Sequence, residues 1–445
     1  MSFTPSTPSS YQNVVLGLQS TADWSDPDFV PTNWREAILR FWPNGDAPLT
    51  AMLAKIASEV SDDYVFNWLT EGLPGQSAEL TGVYTDAAMG TAYVAASGAL
   101  GDVLYLKCAA ASAKEFRAGH TVNLRHIDLA NTYAAPHYSA DTIAKVLAVT
   151  VNGANSCITV KLLESANDTA TYIFDYALVV GSVNPQNSES PDAISYQPVR
   201  DSNYMQIFRN ALEIAGTTLS QKTILGDWYQ HEKQNTLRLH SMEIEKSILW
   251  GIPYLGVGSN GKPEYTTCGI IRKIATNKYD YATDTNYAGK SWVQAGEDWL
   301  IEKLTALFKY GGDERLCFGG IGTFNALSRL VRNNAQVTVT PGQAEYGIKV
   351  TSYEFPFGII HLKRHPLFSY ERVDQFSFVA MEVKNLKYRF MKGRDTNFRP
   401  DILKDKGGWT DRDGIKEGWL TECGLEMHIE PTFGYFTSVG KDNVV

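Results

Sequence analysis

Apolar residues recur at helical spacing in several stretches of the chain. In residues 34–60, Met52, Ile56 and Val60 repeat at i, i+4, which predicts an amphipathic helix. The same reasoning predicts helices over 291–308 and 322–332. Each of these segments has one apolar face that a folded core could cover.

The longest predicted helix covers residues 221–250. Its apolar stripe is thin, consisting of Leu237, Ile244 and Ile248, and Gly251 follows its end. At ~1.5 Å per residue such a helix would be more than ~40 Å long. A long helix with a thin apolar stripe is typical of a rigid spine rather than of a helix buried in a core.

Residues 93–181 show a different pattern, with short runs of β-branched and aromatic residues. These runs are 103–107, 120–124, 145–151, 157–162 and 172–176. Asn152-Gly153 lies between two of them and is a strong hairpin signal. We therefore predict a small barrel or sandwich. Loose, small-residue stretches on both sides indicate that this unit is inserted at the tip of a long hairpin.

The remainder of the chain mixes helix and strand patterns. Strands are predicted at 347–354, 357–363 and 376–384, among the helices of residues 255–383. Two long strands are predicted at 385–400 and 417–439. The predicted fold class is therefore α+β.

Composition excludes several classes of protein. The chain has 445 residues, 44% of them hydrophobic, and a net charge of −9, so it is not a largely disordered chain. Residues 1–33, rich in Ser, Thr, Pro and Asp, are predicted to form an extended arm. Five widely spaced cysteines predict free thiols in a reducing compartment. We expect neither a secretory signal nor a membrane span.

Two motifs resemble nucleotide or zinc sites but lack a required part. Residues 256–262 fit GxGxxG and most of a phosphate-binding loop, yet Pro263 occupies the position of the hydroxyl residue that would hold magnesium. His231-Glu232 begins a zinc motif, but Asn235 stands where the second histidine belongs. A glycine-rich connector and a polar helix face are the favoured interpretations.

Two further patterns favour no metal. His361 and His365 lie on a predicted strand, which separates them by about 13 Å. Asp411 and Asp413 suggest a calcium loop, but the remaining ligands are missing. The sequence therefore predicts no catalytic residue, no cofactor and no metal site, and we expect a protein that is not an enzyme.

One charged segment stands out. Residues 384–406 contain eight basic and three acidic residues, whereas no Lys or Arg occurs between Lys55 and Lys107. A solvated strand face is the simplest interpretation. The alternative is a contact between copies of the chain, in which a basic patch meets an acidic one. The candidate contact residues are Arg389, Lys392 and Arg394 on the basic side and Glu71, Glu79 and Asp86 on the acidic side.

Residues 202–218 carry a family resemblance. Asn203, Gln206-Ile-Phe208 and Gly216-Thr217, followed by the long predicted helix, resemble the strand that leads into the spine helix of tailed-phage major capsid proteins. Phe66-Asn-Trp68 is similar to the start of the extended loop in that family, and 347–361 is similar to a strand pair of its A-domain. The order of predicted elements also agrees.

The resemblance implies the Hong Kong 97-type fold with a small all-β insertion in its extended loop. The implied divisions are an N-terminal arm and helix (1–64), an outgoing loop arm (65–92), a β-barrel-like insertion (93–181), a returning loop arm (182–202), a P-domain with the spine helix (203–254), an A-domain (255–384) and returning P-domain strands (385–445).

The resemblance also implies a function. Such a subunit forms pentamers and hexamers of an icosahedral shell around double-stranded DNA, is assembled in the bacterial host cytoplasm and becomes part of the virion. Expected partners are copies of itself, a scaffolding protein, a portal and a decoration protein, without a membrane. Two alternatives stay open: an encapsulin-like nanocompartment shell protein, and a nucleotide-binding or carbohydrate-active enzyme.

Overall fold

The structure is a computed structural model that describes residue 49 and the ranges 58–72, 74–127, 141–221, 228–333, 338–345, 348–370, 374–400 and 413–443. The chain separates into two compact units. Residues 68–201 form the barrel unit, and the described residues up to 67 and from 202 onward form the larger unit. The predicted N-terminal arm lies outside the described residues.

The strands are, in chain order, β1 (Ser58–Ser61), β2 (Val65–Thr70), β3 (Ser77–Tyr84), β4 (Val103–Cys108), β5 (His120–Arg125), β6 (Thr142–Thr150), β7 (Cys157–Leu162), β8 (Tyr176–Ser182), β9 (Val199–Tyr204), β10 (Gln206–Ala215), β11 (Tyr254–Val257), β12 (Pro263–Thr266), β13 (Lys278–Asp280), β14 (Glu314–Gly319), β15 (Thr338–Glu345), β16 (Ile348–Phe355), β17 (Gly358–Arg364), β18 (Phe378–Met381), β19 (Leu386–Met391), β20 (Asn397–Arg399), β21 (Gly414–Met427) and β22 (Gly434–Thr437). The α-helices are α1 (Ala110–Ala113), α2 (Gly216–Ser220), α3 (Trp228–Trp250), α4 (Ile270–Lys273), α5 (Trp292–Phe308), α6 (Ile321–Asn333) and α7 (Pro366–Tyr370).

The barrel unit contains a closed antiparallel barrel with the strand order β3-β4-β7-β6-β5-β8. Alternate residues point inward, so Leu106, Val146 and Val160 are fully buried in its core. β6 and β7 form the hairpin predicted from Asn152-Gly153, with the turn completed by a short 3-10 helix. Because the barrel is closed, none of its six strands is a sheet edge.

Two assignments in this region differ from the sequence analysis. Ser77–Tyr84, which the sequence assigned to the outgoing loop arm, is a strand of the barrel and pairs with both β4 and β8. The last strand of the barrel begins at Tyr176 and not at 172, although Phe174 is buried in the core. A buried aromatic residue in an irregular segment gives the same local signal as a strand.

A sheet of the larger unit carries the long helix. Its strand order is β1-β19-β21-β10, with β20 also pairing with β21. The ladder between β10 and β21 joins ten residue pairs, from Gln206 and Cys423 to Ala215 and Gly414. Helix α3 packs on one face, where Ile244 and Ile248 meet Phe208 in a shared core.

A second, mixed sheet of the larger unit has the order β13-β22-β18-β14-β17-β16-β15. Alternate residues of β14 enter two different cores: Leu316 and Phe318 join the core of the long helix, and Cys317 joins the core of α5 and α6. The sheet is thus covered on both faces, and the α+β prediction for this region is confirmed.

Several predicted boundaries change. The described part of the long helix runs from Trp228 to Trp250, 23 residues and ~34 Å, and positions 222–227 of the predicted helix lie outside the described residues. Its buried stripe continues through the polar residues Thr236 and His240, whereas Leu237 is half-buried. Residues 58–60, predicted as the end of a helix, belong to β1, which pairs with β19, and the rest of that predicted helix apart from residue 49 lies outside the described residues. The other helix predictions are confirmed to within one residue.

The two long C-terminal strands are also broken. The first divides into β19 and β20 at Gly393, where φ is +71°. The second ends as β21 at Met427, and β22 then joins the other sheet. Ile429, with φ of +49°, turns the chain between them. A residue with positive φ can turn the chain without changing the pattern of apolar and polar residues. The pattern therefore does not show where these strands end.

Candidate assembly surfaces

The face of β19 and β21 away from helix α3 carries a set of ion pairs. Glu59 on β1 binds Lys387 at 2.6 Å and Arg389 at 2.7 Å. Arg389 also binds Glu426, which in turn contacts His428. The hydrogen bond from Lys387 lowers the pKa of Glu59. These pairs join three strands, so they stabilise the sheet itself.

A second pair lies further along the same face. Arg394 binds Glu422, a carboxylate that is 3% exposed and also accepts a hydrogen bond from Tyr265 at 3.3 Å. A buried carboxylate without its cationic partner is costly, so Arg394 is held in place by the fold. Lys392, between the two arginines, is exposed and forms no ion pair with any described residue.

The predicted contact residues therefore fall into two sets with different environments. Arg389, Lys392 and Arg394 lie together in the larger unit, whereas Glu71, Glu79 and Asp86 belong to the barrel unit. Glu71 and Glu79 are exposed, and Asp86 is half-buried, accepting from the backbone N–H groups of residues 90 and 91. Lys392, Glu71 and Glu79 are thus the members most available to a second copy.

Sequence reasoning missed Glu422 and Glu426. Both are buried on β21, at 3% and 2% exposure, in a segment predicted as a strand with no special role. The register places Arg389 opposite Gly424, between the two carboxylates. A strand with acidic residues at i and i+4 was a visible signal, but their basic partners lie on another strand and could not be assigned from spacing.

The residues that carry the family resemblance form hydrogen bonds and close contacts between distant segments of the larger unit. The Asn203 side chain donates to the carbonyl oxygens of Cys268 and Leu425 and accepts from the Cys268 N–H. Gln206 accepts from the Thr267 N–H at 3.2 Å. Gly216 has no side chain, and this leaves room for the Asp413 carboxylate. A Cβ added at position 216 would lie 2.1 Å from Asp413 Oδ1. These residue types are required by packing, not by chemistry on a ligand.

A series of hydrogen bonds between polar side chains also connects helix α3 to its sheet. His240 is 1% exposed, with Nδ1 2.5 Å from Asn210 Oδ1 and Nε2 2.7 Å from Thr421 Oγ1. Asn210 donates through Nδ2 to Glu243, so its Oδ1 accepts from His240 Nδ1 and the ring accepts from Thr421. Burial lowers the pKa of His240, outweighing the opposite effect of Glu243. The neutral imidazole thus fits this site.

The rejected motifs occupy structural positions. Residues 256–262 span the end of β11 and its turn into β12, and a strand rather than a helix follows. His361 binds Ser352 at 2.9 Å, and the buried His365 binds Glu245 of helix α3 at 2.6 Å. Asp411 lies outside the described residues. Across the described ranges, no group of three His, Cys, Asp or Glu side chains is placed to hold a metal ion.

All five cysteines are buried and free. Burial raises the pKa of Cys108 to about 11 and that of Cys423 to about 12, so these thiols remain protonated. Among the described helices, none has both the length and the apolar character needed to cross a bilayer.

The sequence model of one protein family, described as SU10 major capsid protein, matches residues 15–440. The chain belongs to the SU10 major capsid protein family. A relative, the major capsid protein of Pseudomonas phage PaMx41, is 26% identical over 384 residues, covering 84% of this chain and 82% of the relative. Membership confirms the resemblance to phage major capsid proteins. The mixture of helices and strands in the described residues agrees with the α+β class.

Matches among solved structures include chains from two phages. The match to Microbacterium phage Oxtober96 has a TM-score of 0.43 and 9% identity, covering 94% of this chain and 98% of that one. The match to Mycobacterium phage Cain has a TM-score of 0.40 and 9% identity, with 96% of both chains covered.

Membership in the SU10 major capsid protein family makes this chain a structural subunit of the virion capsid. The encapsulin-like alternative has less support, because the family and the curated relative are both phage capsid proteins.

Proposed function

We propose that copies of this chain assemble as pentamers and hexamers into an icosahedral shell around double-stranded DNA, and that the chain is not an enzyme. The match of the capsid family to residues 15–440 carries this proposal. The scaffolding protein, portal and decoration protein implied by the resemblance are further proposed partners, and assembly takes place in the host cytoplasm.

Exposed apolar side chains support self-association. Val257 on the β11–β12 hairpin is 73% exposed, and Leu69 and Val199, on the paired strands β2 and β9, are 68% and 70% exposed. Two-stranded hairpins are marginally stable alone in water. Contacts with neighbouring copies would cover these side chains and stabilise the strands that carry them.

Sedimentation velocity tests the assembly proposal. The purified chain, alone and with the candidate scaffolding protein, is expected to form fast-sedimenting rings or shells. A monomer in every salt condition, with and without scaffold, would contradict the proposal.

The charged contact is proposed in a revised form. Arg389 and Arg394 already bind carboxylates of their own chain, so Lys392 is the best member of the basic set for contact with Glu71 or Glu79 of a second copy. The substitution Lys392→Glu is expected to weaken assembly, and adding Glu71→Lys or Glu79→Lys to restore it. A surface ion pair contributes about 0–1 kcal/mol, but a shell repeats it in every copy. Assembly can be followed by sedimentation as a function of salt concentration. If Lys392→Glu assembled with the same salt midpoint as the wild type, that result would count against this contact.

A further inference from the structure

An open groove lies in the larger unit where β21 runs between β10 and β20. Its volume is about 690 Å³. The residues that line it are Arg209, Asn210, Ala211, Arg394, Arg399, Pro400, Gly418, Trp419 and Leu420. Among the described residues, the lining contains three arginines and no carboxylate.

The strand register explains why the groove is open and where its charges stand. Gly418 on β21 lies between Ala211 on β10 and Arg399 on β20, and Leu420 faces Arg209 on β10. Glycine and alanine at the centre leave no long side chain to fill the space. The two outer arginines stand on strands either side of β21, about two strand spacings or ~10 Å apart across the sheet.

Two of the three arginines are available to a ligand. Arg394 is neutralised by Glu422. Arg209 and Arg399 are exposed, and neither forms an ion pair with a carboxylate in the described part of the chain. An open groove with two guanidinium groups that no described carboxylate binds suits an extended polyanion better than a single small anion, which one arginine could bind alone.

We propose that this groove binds the phosphate backbone of nucleic acid, an inference that rests on the proposed enclosure of DNA. The arginine fork matches phosphate geometry, and repeated phosphates can engage Arg209 and Arg399 together. An acidic segment of a second copy is the competing occupant. Of the acidic residues predicted to contact a second copy, Asp86 is already engaged by backbone N–H groups of its own chain, and Glu71 and Glu79 are the proposed partners of Lys392.

Weak binding at each groove is enough in an assembly. The contact reads no base edge, so binding is expected to be independent of sequence and strongly salt-dependent. Many grooves on one shell would bind the same DNA multivalently.

Fluorescence anisotropy of a labelled duplex DNA, titrated with the purified full-length chain held unassembled so that no shell separates the DNA from the groove, tests the proposal. The double substitution Arg209→Gln/Arg399→Gln removes two phosphate contacts. It is expected to weaken binding and to reduce the slope of log affinity against log salt by about 2. Arg209→Lys/Arg399→Lys keeps the charges and is expected to retain most of that slope.

The matched control is Lys114→Gln/Lys161→Gln, which removes the same charge from exposed positions of the barrel unit. It should leave the salt slope unchanged. Thermal unfolding and sedimentation of every variant establish that folding and assembly persist.

Three results would overturn the proposal. The unassembled wild-type chain could fail to bind duplex DNA, which would leave the capsid function itself intact. The double glutamine variant could bind DNA as the wild type does. It could also bind DNA normally but fail to assemble, which would assign the groove to a contact between subunits.

Discussion

The two units bury their strands in different ways. The barrel unit closes six strands on themselves around an apolar core, in which Leu106 and Val160 are fully buried. The larger unit has open sheets with edge strands such as β1 and β13, and it buries charged groups such as Glu245 and Arg315. The closed barrel leaves no strand edge for another copy to pair with, whereas the outer strands of the larger unit's described sheets are edges that another copy can cover.

This difference predicts that the two units unfold separately. The largest effect is expected for Trp299→Ala in the larger unit. Trp299 is fully buried, meets Tyr281, Trp292 and Phe436 edge-on, and donates to Asp284 at 2.9 Å. Its loss should cost about 3–5 kcal/mol. Calorimetry should show one transition lowered, with the barrel transition unchanged. Equal shifts of all transitions would show that the units are coupled.

The reciprocal change is Leu106→Ala in the barrel. Leu106 is fully buried, so a loss of about 2–4 kcal/mol is expected, confined to the barrel transition. Below the lowered barrel transition the barrel stays folded, so the variant should still assemble there. Failure to assemble while the larger unit stays folded would place essential contacts on the barrel.

A smaller, pH-dependent effect is expected at His240. Because burial lowers its pKa from the ordinary value of 6.5, the unfolded chain takes up a proton before the folded chain does. His240 therefore stabilises the fold above pH 6.5, and this contribution is lost as the pH falls below that value. His240→Gln should reduce the fall in melting temperature between pH 7.5 and pH 5.5.

His231→Gln serves as the control, since it removes a half-buried histidine from the same helix. A pH dependence of the larger unit's transition that is identical in His240→Gln and the wild type would show that another group causes it.

Much of the fold could be predicted where one local pattern dominates. The helix expected at 291–308 is observed at Trp292–Phe308, because its leucines and tryptophans repeat with helical period. The barrel hairpin at Asn152-Gly153 is a local turn signal with few alternatives. Asn203 and Gln206 carried the family resemblance although Cys268 and Thr267, which they bind, lie more than 60 residues away.

The remainder depends on contacts that spacing cannot reveal. His240 lies on the buried stripe of a helix because Asn210 and Thr421, on two different strands, satisfy its ring nitrogens. Arg394 looked like a free surface charge, yet Glu422, 28 residues away, binds it. Hydrophobic period identifies which face is buried, but not which polar groups are buried with it.

Negative-stain microscopy of the purified chain, alone and with its candidate scaffolding protein, tests the central claim most directly. The account predicts rings of five and six subunits or closed shells, with a diameter that bounds the number of copies. Dispersed particles of monomer size under all salt conditions, with scaffold present, would contradict it.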